Sequence, residues 1–426
     1  MHLKAEIWDQ VQYIFRNYYD RMIHCASYYD GEVDVKALRK SMHYILEHYP
    51  VLRSTFKPSS IKPHWSVNED YCEEETVGVV YCDDLEKSVF ASLSEEIDWS
   101  AKFQYRLTVH YCGGKSAISL IVNHMCMDGA DFKYFVSKIA EGYNIIMQGG
   151  ELSSLVLKSG DRGAGQLYKD MSEEDAKAAK ELMKNVSRTG VKNKFAFTDD
   201  EDCKVFFTCK KLKKEYVAKL KERGKQLDAT LNDVLVTAYA RAISRYIEKS
   251  DDPRIAVTCM KNLRDHIKSG ESEDLTNLTG FMPCVLDKIE GTFEDTLASV
   301  AAKTKEAKDD KFCGLYGLPL MALAFKVFPY SLAEFAIKIG YENPLIGMSN
   351  IGVIPEDAVA LYGVDCYDTF MTGATKKKPY IQLTATTYRG ETTLCIAQKC
   401  SQNDKEIIDK FFDEIIGELG DFQPIA

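Results

Sequence analysis

The residues best suited to chemistry lie in one short run, Asn123-His124-Met-Cys-Met-Asp128-Gly129. An imidazole titrates near neutrality, so His124 can take a proton from an alcohol or amine as that group attacks a carbonyl. Asp128, four residues on, invites a dyad in which its carboxylate orients the ring. Other chemistries fit this run less well. A metal centre on His124 and Asp128 has no third ligand at plausible spacing, so no metal is expected. Cys126 as a nucleophile has no second histidine to activate it, and its place between the key positions faces it to the core. The other seven of the eight histidines lack any comparable context and read as surface or packing residues.

The flanking elements determine where this run sits. Alternation from Phe103 to Tyr111, then Gly113-Gly114, then the apolar stretch Ala117 to Val122 predict an antiparallel hairpin whose second strand ends at Asn123. Asp128-Gly129 is a turn signal, and a helix follows it to about Gly149. Upstream, Asp34 is a good N-cap for an amphipathic helix that stops before Pro50, and Val51 to Phe56 alternates like a strand. Residues 151 to 200 are rich in glycine and charge and read as a surface crossover, with a helix from Ser172 to Lys184. Beyond it, strands are expected at Cys203–Cys209, Ile255–Met260, Phe281–Leu286, Met348–Ile351, Tyr380–Thr387 and Thr393–Gln398. Helices are expected at Lys213–Arg223, Thr230–Tyr246, Phe293–Lys308 and Asp404–Leu419. The resulting division is a first domain over 1–165, a linker over 166–200 and a second domain over 201–426.

Length and composition narrow the function classes. A chain of 426 residues is too long for one ordinary core and suits two domains of about 200. With 54 basic and 64 acidic residues the net charge is −10, which disfavours nucleic acid as a partner. The 13 cysteines are scattered singly, as expected of reduced thiols in a cytoplasmic protein. No signal pattern opens the chain and no apolar run approaches a membrane span. The semi-apolar stretch Leu315–Ile339, broken by Pro319 and Pro329, is expected to pack inside the protein, with a lid or membrane-surface segment as the alternative.

Several segments together resemble the condensation-domain and chloramphenicol-acetyltransferase-like acyltransferases. Their hallmark is His-His-x-x-x-Asp-Gly, and His124 to Gly129 matches it from the second position; Asn123 stands where the first histidine is common. Leu46-Glu-His-Tyr-Pro-Val-Leu-Arg-Ser-Thr-Phe56, Asp98-Trp-Ser-Ala-Lys-Phe-Gln-Tyr-Arg-Leu107, Met260-Lys-Asn-Leu-Arg264-Asp265, Asn277-Leu-Thr-Gly280-Phe281 and Ser349-Asn350-Ile-Gly352 are similar to further family segments, in the family's order. The resemblance implies an α/β fold of two-layer sandwiches, a pseudo-dimer of two acetyltransferase-like domains with a central active-site tunnel. It implies His124 as general base and Asp128 as a structural brace paired with Arg264, with Gly129 giving backbone freedom and room in the tunnel. Asn123, Ser349 and Asn350 become candidates for oxyanion contact or tunnel lining. Lys376-Lys-Lys378 reads as a solvated charge run that could instead meet the phosphates of coenzyme A or an acidic carrier protein.

The expected activity is acyl transfer from a thioester, acyl-CoA or acyl carrier protein, to a small hydroxyl or amine acceptor. Coenzyme A or phosphopantetheine would then be a co-substrate, with no permanently bound cofactor. The alternative is a non-catalytic condensation-like module that docks carrier proteins or partner enzymes.

Overall fold

The computed structural model describes residues 1–182 and 188–423; the last two residues of the expected helix Ser172–Lys184 lie outside them, and the helix runs over Glu173–Lys180. Strands and helices assemble around two main apolar cores, each containing one large sheet and the helices packed on it.

The first sheet has five strands in the order Cys366–Thr372, Met22–Tyr29, Lys115–Asn123, Tyr105–Cys112 and Gly78–Tyr81. Its hairpin closes as the sequence predicts. Cys112 pairs with Lys115, and Gly113 (φ 56°) and Gly114 (φ 79°) supply the two positive φ angles that a tight hairpin turn requires. Helices Val35–His48 and Gly129–Met147 pack against each other and bury their apolar faces in the same core. Asp34 caps the first of them, accepting from the N–H groups of Lys36 and Ala37.

The second sheet has seven strands. Thr279–Leu286, Ile255–Asn262, Ile346–Val353, Ile381–Tyr388 and Glu391–Cys400 follow in order, and both Lys204–Leu212 and the short strand Lys376–Lys377 pair with Glu391–Cys400. Helices Leu231–Ile243, Phe293–Asp309 and Gln402–Phe422 cover it. A small sheet of His2–Lys4, His64–Val67 and Ser54–Lys57 completes the set.

Three expectations need correction. Val51 to Arg53 is not strand: Pro50 starts a short 3-10 turn, and the strand begins at Ser54. Five strands were not foreseen: the short His2–Lys4, His64–Val67 and Lys376–Lys377, and the longer Met22–Tyr29 and Cys366–Thr372, which pair with each other across most of the chain. Leu315–Ile339 is not interior. It forms two helices, Leu318–Val327 and Tyr330–Gly340, that bury one face and expose Val327 (60%), Phe335 (62%) and Ile339 (58%) on the other.

Candidate active site

The strand Lys115–Asn123 delivers His124 to the junction of the two halves. Its backbone N–H donates to the carbonyl of Arg21 at 2.6 Å. Arg21 holds φ at 61°, in a region that non-glycine residues seldom occupy, so the contact that pins His124 uses a strained backbone. From the second half, Asn277 places its side-chain amide nitrogen 3.0 Å from His124 Nδ1 and donates to the His124 carbonyl at 3.2 Å. Nδ1 is therefore engaged by protein, while the ring lines a cavity of about 190 Å³ that also borders Ser349, Phe281 and Lys376.

Burial holds the His124 pKa below the ordinary imidazole value, and the nearby Lys376 charge pushes the same way. Its own carbonyl and the Asp128 charge oppose that shift without cancelling it. The ring is accordingly neutral at neutral pH, the state that can accept a proton.

Asp128 is not a dyad partner for this ring. One carboxylate oxygen caps the helix Gly129–Met147, accepting from Ala130 (3.0 Å) and Asp131 (3.2 Å). The other accepts from Arg264 Nη1 at 2.7 Å and from the Leu278 N–H at 2.7 Å. Burial alone would raise the Asp128 pKa, but the Arg264 charge and these hydrogen bonds together lower it. Arg264 is equally committed. Its Nη2 pairs with Asp131 at 2.8 Å and donates to the Thr276 carbonyl at 3.2 Å, and its Nε donates to Ser272 Oγ at 3.2 Å. The guanidinium thus joins two buried aspartates from the first half to the loop that carries Asn277 in the second.

The remaining sequence candidates separate. Asn123 is fully buried and does not border the cavity: it donates to Gln104 and accepts from the Met125 N–H, so its place is structural rather than tunnel-lining. Ser349 borders the cavity on the strand Ile346–Val353, opposite Thr384, and no hydrogen bond ties its hydroxyl among the described residues. Asn350 also borders it, but its amide is held by Asn232 (3.2 Å) and the Gly352 N–H (3.0 Å). Ser349 is the freer donor of the two. Gly129 adopts no positive φ, and an added Cβ would meet only Ile351 at 3.9 Å, an ordinary contact. Backbone freedom is therefore not what this position uses.

Sequence reasoning missed Asn277 as the imidazole's neighbour, Asp131 as the second acid on Arg264, and Lys376 as a cavity residue. It also missed Arg162, which reaches back to Asp9 (3.1 Å) and to the carbonyl of Cys126 (3.2 Å), tying the crossover segment to the loop after His124. A lone arginine in a glycine-rich stretch carries no local signal of such a role.

No protein-family model matches the sequence, and no curated protein matches it at the sequence level. Solved structures do. Polyketide synthase associated protein 5 from Mycobacterium tuberculosis is similar at 16% identity and a TM-score of 0.68, over 97% of each chain. TRI3 trichothecene 15-O-acetyltransferase from Fusarium sporotrichioides is similar at 9% identity and a TM-score of 0.73, over 99% of this chain and 95% of that one. The first condensation domain of the CDA synthetase is similar at 14% identity and a TM-score of 0.67, over 100% and 97%. The chain therefore has the α/β pseudo-dimer fold of condensation domains and chloramphenicol-acetyltransferase-like proteins.

Proposed function

We propose that this protein is an acyltransferase that moves an acyl group from a thioester, on coenzyme A or a carrier-protein phosphopantetheine, to a hydroxyl or amine. One observation carries the proposal: a neutral imidazole borders a cavity at the junction of the halves with Nδ1 engaged, while the neighbouring carboxylate is committed to Arg264. As placed, the Asn277 amide nitrogen can only donate to Nδ1; with that amide turned to present its Oδ1, which has no other partner, the ring proton sits on Nδ1 and Nε2 is the basic atom. It takes the acceptor's proton as the acceptor oxygen or nitrogen attacks the thioester carbon. The tetrahedral oxyanion forms beside Ser349, and its collapse expels the thiolate, which recovers the proton from His124. No acyl-enzyme is needed. A cavity of about 190 Å³ suits a short acyl group better than a long one, being below the roughly 300–1,000 Å³ of drug-sized ligand pockets.

The pH profile tests the base. Because the His124 pKa is lowered, kcat/KM for thiol release should stay level as pH falls through about 6.5 and decline only in more acidic solution. Free-thiol release from a panel of acyl-CoAs and acylated carrier proteins with candidate alcohols and amines measures this. An acidic limb centred above the ordinary histidine value would contradict it.

A second reading is favoured by the exposed face of helices Leu318–Val327 and Tyr330–Gly340: the same transfer carried out at a lipid surface. Leu320, Leu323, Val327, Leu332, Phe335 and Ile339 recur at helical spacing on that face, with Lys326 among them. No helix among the described residues is long and apolar enough to cross a membrane, so the contact would be superficial. It predicts flotation of the protein with vesicles containing anionic phospholipid, and loss of flotation in a Leu323→Asp, Phe335→Asp double variant. A wild-type protein that stays at the bottom of the gradient removes this reading.

A further inference from the structure

The charged residues bordering the catalytic cavity are three lysines, Lys133, Lys261 and Lys376, and one carboxylate, Asp128, in a chain whose overall charge is −10. Asp128 is committed to Arg264. Lys133 donates to the Ile351 carbonyl at 2.9 Å, and Lys261 pairs with Asp265. Lys376 differs from both. Its ammonium stands over the face of Tyr19, 4.3 Å from the ring centre, and forms no ion pair among the described residues. Asp20, the carboxylate whose charge favours it, is engaged elsewhere: Oδ1 accepts from the N–H groups of Met22 (2.9 Å) and Thr375 (3.0 Å), and Oδ2 faces His24 at 3.6 Å.

The run Lys376-Lys377-Lys378 is therefore not one solvated patch. Lys377 faces Glu96, and Lys378 pairs with Asp404 at 2.6 Å; only Lys376 turns into the cavity. Its backbone is fixed from two sides, by the parallel pairing of Lys376 with Gln398 and by the bridge to Tyr19. Burial lowers its pKa to about 8, so the ammonium is still largely charged at neutral pH. A half-buried cation without a carboxylate is only partly solvated, and an anion that enters the cavity completes its surroundings.

We propose that Lys376 is a specificity-determining residue that binds a carboxylate carried by one of the two substrates, close to the reacting carbonyl. The identity of that carbonyl rests on the acyl-transfer reading; the anion site itself does not. His124 and Lys376 border one cavity and the Lys376 charge acts on the imidazole, which places an anion on Lys376 in the neighbourhood of the thioester carbon. The phosphates of a thioester donor lie a whole pantetheine arm away and do not meet this geometry. The carboxylate has two possible sources, a dicarboxylic acyl group or an amino- or hydroxy-acid acceptor.

Isothermal titration of the full chain distinguishes them. The donor arm compares succinyl-pantetheine with butyryl-pantetheine; the acceptor arm compares 3-hydroxybutyrate with methyl 3-hydroxybutyrate. In at least one arm the charged member should bind about 10- to 100-fold more tightly, the range for a hydrogen bond to a charged group. That preference should persist in His124→Ala, which separates the anion site from the general-base proposal. It should persist in Lys376→Arg and vanish in Lys376→Met, with the neutral member's affinity unchanged. Lys376→Met should melt close to wild type, since a half-buried lysine with no carboxylate partner and one ring contact contributes little to stability. Equal binding of charged and neutral members in wild type, or a preference that survives Lys376→Met, overturns the proposal. Equal weakening of both members in that variant, or its unfolding, would make Lys376 a structural residue and overturns it too.

Discussion

Arg264→Met should destabilise the protein by about 3–5 kcal/mol at neutral pH, the usual cost of leaving buried charges without their partner. The guanidinium holds Asp128 at 2.7 Å and Asp131 at 2.8 Å, and all three side chains are at most 4% exposed. Methionine fills a similar volume but leaves both carboxylates facing apolar surroundings. The helix-capping hydrogen bonds of Asp128 remain, and Lys158 still pairs with Asp131, so the loss need not exceed this range. The effect also has a defined pH dependence. The folded-state pKa of Asp128 is lowered, so its contribution is present above the unfolded value of about 3.9 and is lost as pH falls through the lowered folded value. The variant lacks the charge responsible, so its deficit should be largest near pH 7 and shrink in acid as the carboxylates protonate. Urea unfolding of both proteins at pH 7 and near pH 4 measures this; coincident midpoints at pH 7 would show that the Arg264 cluster is not a brace. Because the cluster joins Asp128 and Asp131 to the Asn277 loop, displaced chemical shifts near His124 should accompany the loss.

The second large effect is on rate. His124→Ala should lower kcat for thiol release by about 10²–10⁴-fold, the range for general-base assistance, with little change in stability. Its side chain meets the protein mainly through Asn277 and borders open cavity on the other side, so its removal leaves no unpaired buried charge. The acidic limb of the pH profile should vanish with it, because the titrating group is gone. A variant that loses rate but keeps the same acidic limb would place the titration on another residue.

How much of this was legible in the sequence depended on whether the signal was local. The hairpin, its two-glycine turn and the Asp128 cap lie within a few residues of one another, and periodicity and turn chemistry revealed them. The strand Met22–Tyr29 is buried on both faces and so shows no alternation, while its partner Cys366–Thr372 lies more than 300 residues away. Neither leaves a local trace. At the site, His124 stood out by type and position, whereas the pairing of Asp128 with Arg264 came from the family resemblance and not from spacing. Asn277 was quoted as part of a motif without its contact to the ring. Lys376 was concealed by its neighbours: three consecutive lysines read as one exposed run, and the pairings to Gln398 and Tyr19, both distant in sequence, fix the first of them at the cavity. Asn123 shows the converse error. A residue beside the base in sequence seemed available to the cavity, but the strand's pleat turns it to Gln104 in the core.

The most direct test compares wild type with His124→Ala in the free-thiol release assay. It uses the acyl thioester and acceptor pair that wild type turns over fastest, at pH 7 and saturating donor. The account predicts thiol release above the uncatalysed rate for wild type and a loss of about 10²–10⁴-fold in the variant, with an unchanged urea midpoint. Equal rates from the two proteins would contradict it and would return the docking module as the better description.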